Sequence, residues 1–149
     1  MLKLLSIISS TVLFASCCMG TKCQQDYNSI RFRLLDKITG QDLVFGSAAP
    51  YRASQLKLYS LEGNDTIFHR VGAGIYPQPG GDSILFADFD YRKKSQAYLQ
   101  LNNNDRDTLL LTYNIVETSC CESFTRVAVA QFNNATAGNG PNGSFILKK

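Results

Sequence analysis

Three residue types in this chain could carry chemistry: thiols, an imidazole and clustered carboxylates. His69 is the sole histidine, so it cannot build a multi-histidine metal centre. Neither a Gly-x-Ser-x-Gly elbow nor a His-Glu-x-x-His helix is present. A general base needs a positioned partner, and an enzyme would need a cleft joining Asp88 or Asp90 to His69. No spacing in the sequence supplies that cleft, so no catalytic residue is assigned. Asp82, Asp88 and Asp90, and separately Asn102, Asn104, Asp105 and Asp107, carry oxygens of the kind calcium takes. Neither run has the spacing of a calcium loop. They are expected to be turns and solvated strand edges, with no metal and no cofactor. The five cysteines are Cys17, Cys18, Cys23, Cys120 and Cys121. They contain no C-x-x-C pair, which argues against a dithiol redox centre and a four-thiolate zinc site.

Tyrosine is the other conspicuous type, with Tyr51, Tyr59, Tyr76, Tyr91 and Tyr98 in a chain that lacks tryptophan. An amphipathic ring held at low entropic cost suits stacking on a sugar or contact with a protein. Tyr59, Tyr91 and Tyr98 are the candidate binding residues. The 149 residues are 44% hydrophobic and 18% charged, with a formal charge of +3. That is enough chain for one domain. The balance excludes a disordered or collagen-like protein and leaves no basis for a nucleic-acid partner.

At the N-terminus, Lys3 precedes the apolar run Leu4 to Ala15, interrupted only by Ser and Thr. This is a signal-peptide pattern. The run falls short of the ~20 apolar residues that span a bilayer, so no transmembrane segment is expected in the mature protein. The following Phe14-Ala15-Ser16-Cys17 resembles the bacterial lipoprotein signal. The resemblance implies removal of residues 1–16, acylation of Cys17 and a tether over residues 17–28. The membrane, reached through an N-terminal lipid, is then the first partner expected. Cys18 to Lys22 brings no acidic cluster behind the anchor. The expected location is therefore the bacterial envelope, at the outer membrane facing the periplasm.

With Cys17 acylated, Cys18, Cys23, Cys120 and Cys121 form an even set of disulfide candidates in an oxidising compartment, open to three pairings. Adjacent α-carbons lie about 3.8 Å apart, below the usual disulfide range, so a Cys120–Cys121 bridge would be strained. The preferred arrangement joins Cys23 to Cys120 or Cys121. In the chain-entropy account a loop of that length contributes at most about 4–5 kcal/mol.

These residues need a scaffold, and from Ser29 onward its apolar pattern has period two. Ile30, Phe32 and Leu34 alternate with Arg31 and Arg33, a half-buried strand. Asp36 to Gln41 carries turn chemistry and predicts a hairpin onto Asp42–Phe45. Further strands are expected at 55–61, 66–71, 83–89, 96–101, 108–117, 124–132 and 144–148. In the longest, Leu109, Leu111, Tyr113 and Ile115 share one face. Ala97, Leu99 and Leu101 likewise share a face, and the Asn102–Arg106 loop makes a second hairpin. Asn133 to Gly143 reads as a long turn or flexible loop. The expected fold is all-β: a single antiparallel β-sandwich of about seven to nine strands over residues 29–149.

The segment Arg33-Leu34-Leu35-Asp36-Lys37-Ile38-Thr39-Gly40-Gln41-Asp42-Leu43-Val44 resembles the opening hairpin of transthyretin-like and carboxypeptidase-regulatory-like modules, which are Ig-like β-sandwiches. Together with the lipoprotein start and the Cys120-Cys121 pair, the chain is similar to small envelope lipoproteins of Bacteroidota. The resemblance implies a fold and a location, and it brings no catalytic residues. The functional expectation is a non-enzymatic structural or binding accessory. The alternative is a carbohydrate- or peptide-binding module that uses a tyrosine-bearing sheet face or a strand edge.

Overall fold

A computed structural model describes residues 29–75, 82–90, 95–118 and 123–149. The chain falls into two compact units, one of residues 27–114 and 127–149, the other of residues 1–26 and 115–126. In the second unit the described residues are 115–118 and 123–126, which include the last residues of strand β7 and the first of β8.

The described residues are all-β. Their strands are β1 (Ser29–Leu35), β2 (Lys57–Glu62), β3 (Asp65–His69), β4 (Val71–Ile75), β5 (Ser83–Asp88), β6 (Gln96–Asn102), β7 (Asp105–Val116), β8 (Phe124–Phe132), β9 (Ala135–Thr136), β10 (Gly138–Asn139) and β11 (Phe145–Lys148). They form a five-stranded sheet, β10-β11-β1-β5-β4, and a six-stranded sheet, β3-β2-β6-β7-β8-β9. The alternation seen in the sequence places Ile30, Phe32 and Leu34 of β1 and Leu85 and Ala87 of β5 in one hydrophobic core. Leu58, Leu99, Leu101, Leu109, Leu111 and Phe132 of the second sheet join them. The arrangement is sandwich-like, each sheet burying one face against the other.

One sheet departs from the antiparallel expectation. β11 runs parallel to β1, with Phe32 opposite Phe145 and Leu34 opposite Leu147. A parallel neighbour requires a crossover, and here β11 arrives late, from a distant part of the sequence. Asp42–Phe45 is not a strand either. A single bridge joins Leu35 to Asp42, after which the Asp42 carboxylate accepts hydrogen bonds from the Val44 and Phe45 amides. Those are the donors a strand would have used. The turn before it forms as read: Asp36 Oδ1 accepts from the Ile38 and Thr39 amides and the Thr39 hydroxyl.

Two further differences concern punctuation. The expected strand 66–71 breaks at Arg70, where the chain leaves one sheet and enters the other as β4. Residues 133–143, read as a loop, fold into β9, β10 and a 3-10 turn over Pro141–Gly143. Asn133 and Asn134 both take positive φ, 49° and 64°, between Phe132 and its partner Ala135. That is the backbone of a two-residue type I′ hairpin. Finally, the apolar face of β7 is buried at Leu109 and Leu111, whereas Tyr113 and Ile115 are 41% and 65% exposed.

Candidate binding face

The register of the six-stranded sheet decides which side chains meet on its outer surface. In β2, Leu58 and Ser60 point to the core, so Tyr59 points away from it. The Gly63-Asn64 turn between β2 and β3, with Gly63 at φ +61°, sets Tyr59 opposite Phe68. β6 sets Tyr98 opposite Tyr59 on the other side. Three aromatic rings from adjacent strands therefore lie side by side. Tyr59 and Tyr98 stack with centroids 5.3 Å apart and planes at 27°, and Phe68 tilts against Tyr59 at 5.8 Å. From β7, the Arg106 guanidinium lies 5.1 Å from the Tyr98 centroid and donates to the Tyr59 hydroxyl at 3.3 Å. Gln96 donates to the Tyr98 hydroxyl at 3.1 Å. Phe68 is 64% exposed.

Two of the three tyrosines singled out from the sequence thus share a face. Tyr91 lies outside the described residues, as do Cys17, Cys18, Cys23, Cys120 and Cys121. Phe68 and Arg106 were not singled out. Phe68 had a readable signal, because counting outward from Gly63-Asn64 puts it opposite Tyr59. Arg106 was obscured by a register shift between Gln100 and Asn102. Tyr51 serves elsewhere: its hydroxyl donates to Asp105 Oδ2 at 2.7 Å.

The stacking geometry limits what the face can hold. Two Tyr rings 5.3 Å apart and nearly parallel turn their faces toward each other, and Arg106 covers one further. What remains outward is ring edges, hydroxyls, a guanidinium and the open Phe68 ring. Sugar stacking needs open ring faces, whereas Tyr and Arg packed around an apolar centre is the composition of protein contact sites.

Among the described residues, His69 and several of the carboxylates are engaged within the fold. His69 Nε2 lies 2.9 Å from Ser60 Oγ, and its ring meets Phe89 edge to face. This has the spacing of a nucleophile–base pair, and Ser60 is 2% exposed and faces the core. Burial pushes the His69 pKa below its ordinary value. Four of the carboxylates read as possible calcium ligands pair with the chain's own cations: Asp82 with Arg33, Asp88 with Arg70, and Asp105 and Asp107 with Lys149. Among the described residues no cluster of His, Cys, Asp or Glu is disposed to hold a metal ion.

The last of these pairings is a knot. Lys149 Nζ donates to Asp105 Oδ1 at 2.6 Å and to Asp107 Oδ2 at 2.7 Å. Asn133 Nδ2 donates to Asp107 Oδ1 at 2.7 Å, while Asn133 Oδ1 accepts from the Thr108 amide at 2.9 Å. Burial works against the charge on Asp105, but hydrogen bonds from Lys149 and Tyr51 outweigh it and lower its pKa. Burial likewise opposes the Lys149 ammonium, and its bonds to Asp105 and Asp107 raise its pKa in spite of that. The chain matches no protein-family model, no curated protein and no solved structure.

Proposed function

We propose that this chain is a lipid-anchored lipoprotein of a bacterial envelope, held at Cys17, whose β-sandwich is a non-enzymatic binding accessory. Its kind is Ig-like or transthyretin-like, with a mixed sheet as its departure. The accessory meets a protein partner through Tyr59, Phe68, Tyr98 and Arg106. The observation that carries this reading is the stacked Tyr59–Tyr98 pair on the solvent side of the second sheet, flanked by an exposed Phe and an Arg. Rings of this size in a monomer's surface are affordable when a partner completes their burial. A glycan partner is the second reading, favoured by the open ring of Phe68 alone.

The test places a photo-crosslinking phenylalanine analogue at position 68 of the full chain in native membranes, with position 38 as the control. Ile38 is also exposed but sits in the turn after β1. A discrete protein adduct from position 68, absent from position 38 and lost in Tyr59→Ala/Tyr98→Ala, supports the face. Equal adducts from both positions count against it, and adducts to glycan alone move the reading to its second form. Mass spectrometry of the same preparation reads the anchor: an unmodified Cys17 removes it.

A further inference from the structure

The outer surface of the six-stranded sheet is ordered by charge as well as by ring. Along β2 its outward residues run Lys57, Tyr59, Leu61, and along β7 they begin Arg106, Thr108, Leu110. Lys57 lies opposite Gln100 of β6, and Gln100 lies opposite Arg106. The two cations therefore share one row, two strand spacings or about 10 Å apart. The next row is the Phe68–Tyr59–Tyr98 cluster, and beyond it on β2 stands Leu61, 45% exposed. The acidic residues of these strands, Glu62, Asp65, Asp105 and Asp107, all fall on the core-side alternation. Arg33, Arg70 and Lys149 pair with carboxylates. Arg106 instead meets the Tyr59 hydroxyl and the Tyr98 ring, both neutral, and among the described residues no carboxylate pairs with Lys57.

We infer that this face receives an acidic protein segment, its carboxylates on Lys57 and Arg106 and its apolar side chains on Phe68 and Leu61. The inference rests on the protein-contact reading above and names the chemistry of the partner. Charge complementarity selects that occupant, because two cations with no anion among the outward positions around them draw in an acidic ligand and turn away a basic one. Arg106 is already held in place for the task. Its Nη1 donates to Tyr59 and its guanidinium rests over Tyr98. That leaves Nε and Nη2, the edge that a carboxylate accepts from side by side. Two cations separated by the neutral Gln100 make a short stripe, whereas a phosphate backbone is bound by a longer run of them. The adjoining aromatic row calls for apolar side chains on the same ligand, as a protein segment carries.

The probe is a fluorescein-labelled copolymer of glutamate and tyrosine, titrated with the full chain in non-ionic detergent and followed by anisotropy. Binding should saturate and weaken as salt rises. Lys57→Glu, an exposed substitution that leaves the fold intact, should weaken it about fivefold or more by turning one attraction into a repulsion. Lys57→Arg should restore it. A copolymer of lysine and tyrosine should not bind. Absence of binding overturns the inference, as does equal binding of the two copolymers, an unchanged Lys57→Glu, or displacement of the acidic copolymer by phosphatidylglycerol vesicles, which would assign the cations to lipid. Adducts from position 68 in native membranes separate the two readings. Adducts that Lys57→Glu leaves at full strength remove only the acidic partner, whereas no adducts in the unsubstituted face remove the protein-contact reading and this one with it.

Discussion

His69 and Ser60 meet across β2 and β3 on the core side of the sheet, and their effect is on stability and its pH dependence. Folding holds the His69 pKa below its ordinary value because burial penalises the imidazolium. The unfolded chain therefore binds the proton more readily. Stability from neutral His69 is full above the ordinary value of 6.5 and declines as pH falls through it, until the folded protein also takes up the proton. Denaturant unfolding between neutral and mildly acid pH should show this loss, and His69→Gln should flatten it. The outer aromatic cluster behaves differently. Tyr59→Ala and Arg106→Ala remove contacts on a wet surface, so each should cost no more than about 1 kcal/mol of stability. Their larger effect should be on partner adducts from position 68. Of this residue scale, the sequence disclosed the tyrosines and the alternation that turns Tyr59 and Tyr98 outward. It did not disclose that His69 meets Ser60, since that contact depends on which face of β3 is inward.

At the scale of elements, the turns carry the specificity. Asn133 and Asn134 both hold positive φ, but only Asn133 also bonds Asp107 and the Thr108 amide. Asn134→Gly should be neutral or slightly stabilising, because glycine adopts that backbone freely. Asn133→Ala should cost about 1–3 kcal/mol by leaving Asp107 and an amide short of partners. Equal effects at both positions in chemical denaturation would contradict the assignment. The strands that alternate strictly, β1, β6 and the first half of β7, were legible because period two and burial coincide in them. The loss of Asp42–Phe45 as a strand was not, because one carboxylate captured its amides. β4 escaped notice for a physical reason as well. Its glycines make room for a neighbour: a Cβ on Gly72 would stand 2.3 Å from Phe86 Cζ, so the ring fills what the strand's own side chains do not.

At the scale of the molecule, Lys149 links the two sheets. Its backbone exchanges hydrogen bonds with Leu35 and Lys37 on the side of the first sheet, and its ammonium reaches Asp105 and Asp107 of the second. Lys149→Met keeps the stem and removes the charge. It leaves the nearly buried Asp107 without its cation, so the expected loss is about 1–3 kcal/mol after allowance for the partial exposure of Lys149 and Asp105. Thermal unfolding of the variant measures it, and Asp107→Asn in the same background should recover part of the loss. The sequence by itself determined the all-β class and most of the strands, because period-two burial and turn chemistry are local properties that each segment carries alone. The parallel seat of β11 beside β1, the meeting of Tyr59, Phe68, Tyr98 and Arg106, and the Lys149 knot were decided only by the tertiary structure. Each joins residues distant in sequence through strand order and register, and neither quantity is written in any one segment.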